Sequence, residues 1–130
     1  MKFIVGIFLA LNASIVLASE WNCRNFDLEI SCDEEKCDVS DSGGFTPLDA
    51  YFNDNGSISV GMYSGVCEGK PKILANDSHN FIIRSDLVFS TSPDTKGDIL
   101  IALDKRDKVA VFKGLGYVMP MRCEMRETLE

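Results

Sequence analysis

The sequence predicts an all-β domain: a small antiparallel meander of about eight strands, closed as a barrel or folded as a sandwich and stapled by disulfides. Three observations carry that expectation. Apolar residues recur at every second position in several short runs, the period of a strand with one wet face. Turn residues punctuate those runs at short intervals. Five cysteines follow a leader-like N-terminus, and an exported chain reads its cysteines as disulfide partners.

The leader comes first. Lys2 supplies a charged start, and residues 3–17 are apolar except for Asn12 and Ser14. Val16 and Ala18 place small residues before a cut, with polar Ser19 and Glu20 after it, the pattern of a cleaved secretory signal. We expect 1–18 to be removed and 19–130 to form one secreted or periplasmic domain. At about 15 residues the apolar run is short of the roughly 20 that span a bilayer, and no later stretch is long enough, so no membrane span is expected after removal. A lipoprotein needs cysteine directly after the cut, whereas the nearest is Cys23.

Removal takes away Lys2 and no acid, so the formal net charge moves from -7 to -8. Such a field disfavours nucleic acid and anionic lipid as partners and speeds encounter with a basic protein.

In chain order, the alternation after Trp21 points Phe26, Leu28 and Ile30 inward and Asn25, Asp27, Glu29 and Ser31 outward. Cys32 and Cys37 flank a four-residue loop of hairpin length, where a bridge would act as a staple. The Leu48 to Phe52 run meets the Ser57 to Met62 run through Asp54-Asn55-Gly56, and Asn-Gly between alternating runs is a strong hairpin cue. Ile58, Val60 and Met62 face in. Asn80 to Arg84 alternates again around Phe81 and Ile83, followed by Leu87 to Thr91. Residues 92–97 form the next expected turn. The runs 99–103 and 109–112 are apolar on both faces and are expected to form the most buried hairpin. A last strand runs from Tyr117 to Cys123, and the tail beyond it reads as a helical turn or frayed end.

Topology assigns the bridges. In a closed meander with an even number of strands, the start of the first strand meets the end of the last, and Cys23 and Cys123 occupy those places. The candidate pairs are therefore Cys23 with Cys123 and Cys32 with Cys37, leaving Cys67 unpaired. Beside Glu68, a Cys67 thiol would be a poor nucleophile, because a neighbouring carboxylate raises its pKa.

No catalytic apparatus stands out, and no cofactor is expected. Asp77-Ser78-His79 are neighbours in a polar turn rather than a triad brought together in space. A zinc site is the competing reading of the cysteines, but only Cys32 and Cys37 stand near each other and the lone His79 has no companion at ligand spacing, so disulfides are expected. Asn55-Gly56-Ser57 and Asn76-Asp77-Ser78 have the form of glycosylation sequons.

The segment from Asp38 to Phe45 resembles the calcium loop of an EF-hand: Asp38, Ser40 and Ser42 stand at positions 1, 3 and 5, Gly43 at 6, and Asp49 at 12. It departs from that family at position 12, where glutamate is usual, and lacks flanking helices, so an ordinary loop is the expectation. Tyr63-Ser64-Gly65 and Lys113-Gly114-Leu115-Gly116-Tyr117 resemble fragments of the inhibitory loops of small periplasmic lysozyme inhibitors, without sharing their order or setting, and no membership follows.

The expectation for function is therefore binding without catalysis, most sharply an inhibitor or immunity protein that covers a cationic cell-wall hydrolase. A carrier of a small apolar ligand, and a structural or interaction role, are the alternatives. The bulky inward set Phe26, Ile58, Phe81, Phe89 and Phe112 argues for a filled interior over a ligand cavity.

Overall fold

The computed structural model describes residues 17–41, 43–45, 47–62, 65–89 and 92–129. Most of the leader lies outside them; Leu17 and Ala18 continue the first strand, opposite Leu129 and Thr128.

Among the described residues, eleven strands form one antiparallel sheet: β1 (Leu17–Arg24), β2 (Leu28–Cys32), β3 (Cys37–Asp41), β4 (Asp49–Asn53), β5 (Ile58–Met62), β6 (Gly65–Gly69), β7 (Lys72–Asn76), β8 (Asn80–Phe89), β9 (Ser92–Asp104), β10 (Val109–Gly114) and β11 (Tyr117–Leu129). Pairing runs β1-β4-β5-β6-β8-β9-β10-β11, and β11 then pairs back to β1, so the sheet curls into a barrel-like ring of eight strands. The seam β1–β11 holds eight register pairs and the seam β6–β8 holds two. The remaining strands lie alongside: β2 with β3 on the first residues of β11, and β7 on the first half of β8.

Local chemistry explains the joints. At β4–β5 the Asn53 and Gly56 amides donate to the Ser57 and Asn53 carbonyls, and Gly56 adopts φ +87°, open to a residue without Cβ. Lys70 and Pro71 separate β6 from β7, where proline's missing N–H ends pairing. A Cβ on Gly114 would come within 2.5 Å of Ile99 Cγ2 and 2.9 Å of the Asp98 carbonyl, so that close strand approach requires glycine.

The interior is packed in rows that follow the register. Ile83, Ile101, Phe112 and Met119 form one row across β8–β11, and Phe81, Leu103, Ala110 and Met121 form the next. Facing them, Cys23, Ala50, Val60 and Cys67 run across β1, β4, β5 and β6. Phe52 and Phe81 stack with ring centroids 5.6 Å apart.

Cys23 bonds Cys123 across the β1–β11 seam and Cys32 bonds Cys37 across β2–β3, while Cys67 is free and buried. Three strand spacings separate Cys67 from Cys23, about 14 Å, beyond bridging range. The two bridges fit an oxidising compartment. No helix among the described residues is long and apolar enough to cross a membrane.

The structure corrects five expectations. Phase after Trp21 is the reverse of the one expected: Asn25 is 2% and Glu29 7% exposed, whereas Phe26 is 49% exposed. Trp21 and Cys23 point in, and alternation from them turns Asn25 in and Phe26 out. An irregular step at residues 25–27, where the Asp27 N–H reaches Asn25 Oδ1, leads into β2 with the same phase. Second, the hairpin of β9 and β10 buries one face only; Val109 and Val111 are each 46% exposed on the other. Third, Asn80–Arg84 and the run after Asp86 are one strand, β8, and the expected turn at 92–97 is part of β9. Fourth, the tail continues β11, with Glu124 opposite Asn22. Fifth, Phe26 leaves the inward bulky set; the Phe89 side chain lies outside the described part.

The Cys23–Cys123 bridge closes 100 residues and is worth about 4.7 kcal/mol by chain entropy, against about 2 kcal/mol for the 5-residue separation of Cys32 and Cys37. Urea denaturation should show Cys23→Ala with Cys123→Ala costing the larger share. Equal costs would refute the seam's primacy. Phe81→Ala should cost about 3–5 kcal/mol as a buried aromatic, and Phe26→Ala less than about 2, from two exposed cation–π contacts.

Candidate functional site

The outer surface carries the features that need a partner. Cross-strand register places Ile82, Ala102, Val111 and Pro120 in one outward row over β8–β11. The next row is Arg84, Leu100, Lys113, Val118, Ile30 and Val39, reaching β3. Val39, at its end, is 65% exposed. Aliphatic residues in adjoining rows on a sheet's wet face are the pattern of an interaction surface.

Val39 stands on a stapled, acidic hairpin. Between Cys32 and Asp41 there are five acids, Asp33, Glu34, Glu35, Asp38 and Asp41, against one base, Lys36. All are exposed. The loop holds its shape through Asp33, whose Oδ1 accepts the Glu35 and Lys36 N–H groups at 2.9 and 2.8 Å, and through the Asp33 N–H to the Lys36 carbonyl at 3.0 Å. Those two backbone donors hold the Asp33 carboxyl below the usual carboxylate range. Cys32–Cys37 closes the base of the loop. The hairpin is thus a stiff acidic projection with an aliphatic residue at its middle.

The residues that resemble calcium ligands are not drawn into a loop. Asp38 and Ser40 lie in β3, with Asp38 paired to Lys36 at 3.0 Å, and Asp49 lies in β4, engaged by the Arg24 guanidinium. Ser42 lies outside the described residues. Among the described residues no three His, Cys, Asp or Glu side chains group to hold a metal ion.

At the opposite end, Ser78 Oγ lies 2.9 Å from His79 Nδ1 in an exposed turn. The Asp77 carboxylate faces backbone instead, accepting the N–H groups of His79 and Asn80 at 2.8 Å, which lowers its pKa. A triad needs that carboxylate on the imidazole, so these residues shape a turn. Burial pushes the Cys67 thiol pKa up, which keeps it protonated and unreactive. Of the loop fragments, Tyr63 and Ser64 lie outside the described residues; residues 114–117 form the β10–β11 turn.

A cleft of about 410 Å³ lies over the β1–β11 seam, and the sequence did not point to it. Arg24, Phe26, Arg122 and Arg126 line it, with Asn22, Glu124 and Cys123. The signal was the alternation of charged Arg122, Glu124 and Arg126, which the expected end of the last strand at Cys123 cut in two. Further clefts, of about 350, 280 and 150 Å³, are lined around Tyr51 and Glu68, around Leu115 and Tyr117, and around Leu74 and Leu100.

Asp33, Asp77 and Asp104 are depressed chiefly by backbone hydrogen bonds and Asp98 chiefly by that from Arg84. A carboxyl whose folded pKa is depressed stabilises above its unfolded pKa, about 3.9, and loses that contribution as pH falls through the folded value. The thermal midpoint should therefore stay level on this account from neutral pH down to about 5 and drop below about 4. A fall already complete at pH 5 would contradict the assignment.

No protein-family model, curated protein or solved structure matches the chain, so the functional reading rests on this geometry.

Proposed function

We propose that the chain is an exported binding domain that grips a basic face of another protein, and in its sharper form a periplasmic inhibitor or immunity protein for a cationic cell-wall hydrolase. The observation that carries this reading is the stapled, acid-rich hairpin at residues 32–41, which carries an exposed Val39 between Asp38 and Ser40. An exposed apolar residue with polar and charged groups around it matches the apolar core and polar rim of a protein interface. The staple and the Asp33 turn fix the loop before binding, which lowers the ordering cost of association. Acidic flanks accelerate encounter with a cationic enzyme.

The carrier reading is weaker on this structure. Phe52, Phe81 and Phe112 are each no more than 1% exposed inside the ring and occupy the space an apolar ligand would need. No catalytic role is proposed.

Purified mature domain titrated against a purified cationic lysozyme and other cell-wall hydrolases tests the proposal. We expect inhibition, with slower association at physiological salt than at low salt. Val39→Asp should weaken it about tenfold or more, a loss of about 1.4 kcal/mol. Glu34→Gln, Glu35→Gln and Asp41→Asn together should slow association while leaving the fold intact, because Asp33, which caps the loop, is untouched. Lack of inhibition and of binding at either salt would sink the inhibitor reading.

A further inference from the structure

Closure of the ring leaves two strands that pair on one side only among the described residues: β3, which pairs β2, and β7, which pairs β8. An open strand edge recruits other strands unless something blunts it. On β7, Pro71 precedes the strand, Lys72 opens it, and the register shifts between Ile73 and Ala75. On β3 there is no proline and no shift: Cys37 to Asp41 pair with β2 in unbroken register.

The direction of the β3 backbone follows from the hairpin turn. The Asp33 N–H donates to the Lys36 carbonyl at 3.0 Å, so residues 33 and 36 form a hydrogen-bonded pair. Such pairs alternate with pairs whose backbone groups turn away from each other. Ser31–Asp38 and Glu29–Ser40 are therefore bonded pairs, whereas Cys37 and Val39 turn their N–H and C=O groups to the open edge. The Asp41 carbonyl has the same phase, since it accepts the Gly44 N–H outside the β2–β3 ladder. Among the described residues no hydrogen bond engages the Cys37 or Val39 backbone. Both residues are exposed, and the Cys32–Cys37 bridge and the Asp33 turn fix the hairpin that carries them.

We propose that β3 takes an extended basic segment of a partner protein as an added strand, so that the partner is held by backbone as well as by charge. The proposal rests on the reading of residues 32–41 as the contact hairpin and adds how the partner is gripped. An antiparallel strand centred opposite Val39 exchanges N–H and C=O bonds with Val39 and with Cys37. An aliphatic residue at its centre lengthens the outer row Val118, Ile30, Val39. On one side its next residue meets Asp38, and on the other its second residue meets Asp41, so lysine or arginine suits both places. Charge decides the occupant. A second copy would bring the same five acids and one base against their own kind, and like charges across paired strands repel.

The test is NMR of the intact, oxidised domain with the peptide acetyl-Arg-Thr-Ile-Lys-Thr-Ser-Arg-amide, and with its N-methyl-isoleucine form, which keeps the charge and lacks the central N–H. We expect the Cys37 and Val39 amides to shift and their hydrogen exchange to slow, while the Asp38 and Ser40 amides, already paired with β2, change little. The N-methyl peptide should bind about tenfold more weakly. Val39→Pro should weaken the unmodified peptide about tenfold too, and the fold accepts it because that N–H faces the open edge. Equal binding of the two peptides, or no response at Cys37 and Val39, would overturn the proposal. So would a dimer of the free domain, seen by sedimentation, that Val39→Pro abolishes. Hydrolase inhibition that leaves Val39 amide exchange unchanged would sink strand addition and spare the inhibitor reading; peptide binding without inhibition of any hydrolase would do the reverse.

Discussion

The pairing of the first strand with the last, locked by Cys23–Cys123, is the constraint on which the rest of the molecule depends. Without it β1 and β11 would be sheet edges, with unpaired backbone groups open to other chains. With it, eight register pairs join residues about 100 apart in sequence. Loop closure over that length is entropically expensive, and the covalent bridge offsets much of that cost by restricting the unfolded chain. Rows of small buried residues, Cys23, Ala50, Val60 and Cys67, let the strands on this side draw close to the aromatic rows opposite.

The same seam sets the phase of everything that follows it. Because Trp21 and Cys23 face inward, Asn25 and Glu29 follow them in, and Phe26 is sent out between two arginines. That single phase decision builds the arginine cleft. It also turns Ile30 outward, where it joins Val118 and Val39 in the exposed row. Two surfaces of opposite character, a guanidinium-lined cleft and an acidic aliphatic hairpin, therefore trace to one strand.

This arrangement moves the functional question from the inside of the barrel to the outside. Its interior is occupied by side chains, and the charged and aliphatic patches lie on the outer surface. Overall acidity is likewise uneven: the stapled hairpin concentrates negative charge, while Arg24, Arg122 and Arg126 interrupt it on another face. A net charge describes how such a chain meets a partner from a distance; the local patches decide what it can hold.

The amino-acid sequence by itself determined the fold class, the Asn-Gly hairpin at residues 53–57, and the alternation around Ile58, Val60, Phe81 and Ile83. Each of these is a local property, set by turn preferences and a two-residue period that neighbouring residues can express alone. It also marked Cys23 and Cys123 as partners, because closing a meander has only one way to join its ends. Tertiary structure alone decided the phase of β2, the openness of the outer face of β9–β10, the merging of β8, and the length of β11. A segment with apolar residues on both faces, or with a bulge, reads equally well in either phase, since a slip of one residue exchanges the faces without changing the period. Only the bonds made to a distant strand, here β11 and its cysteine, choose between them.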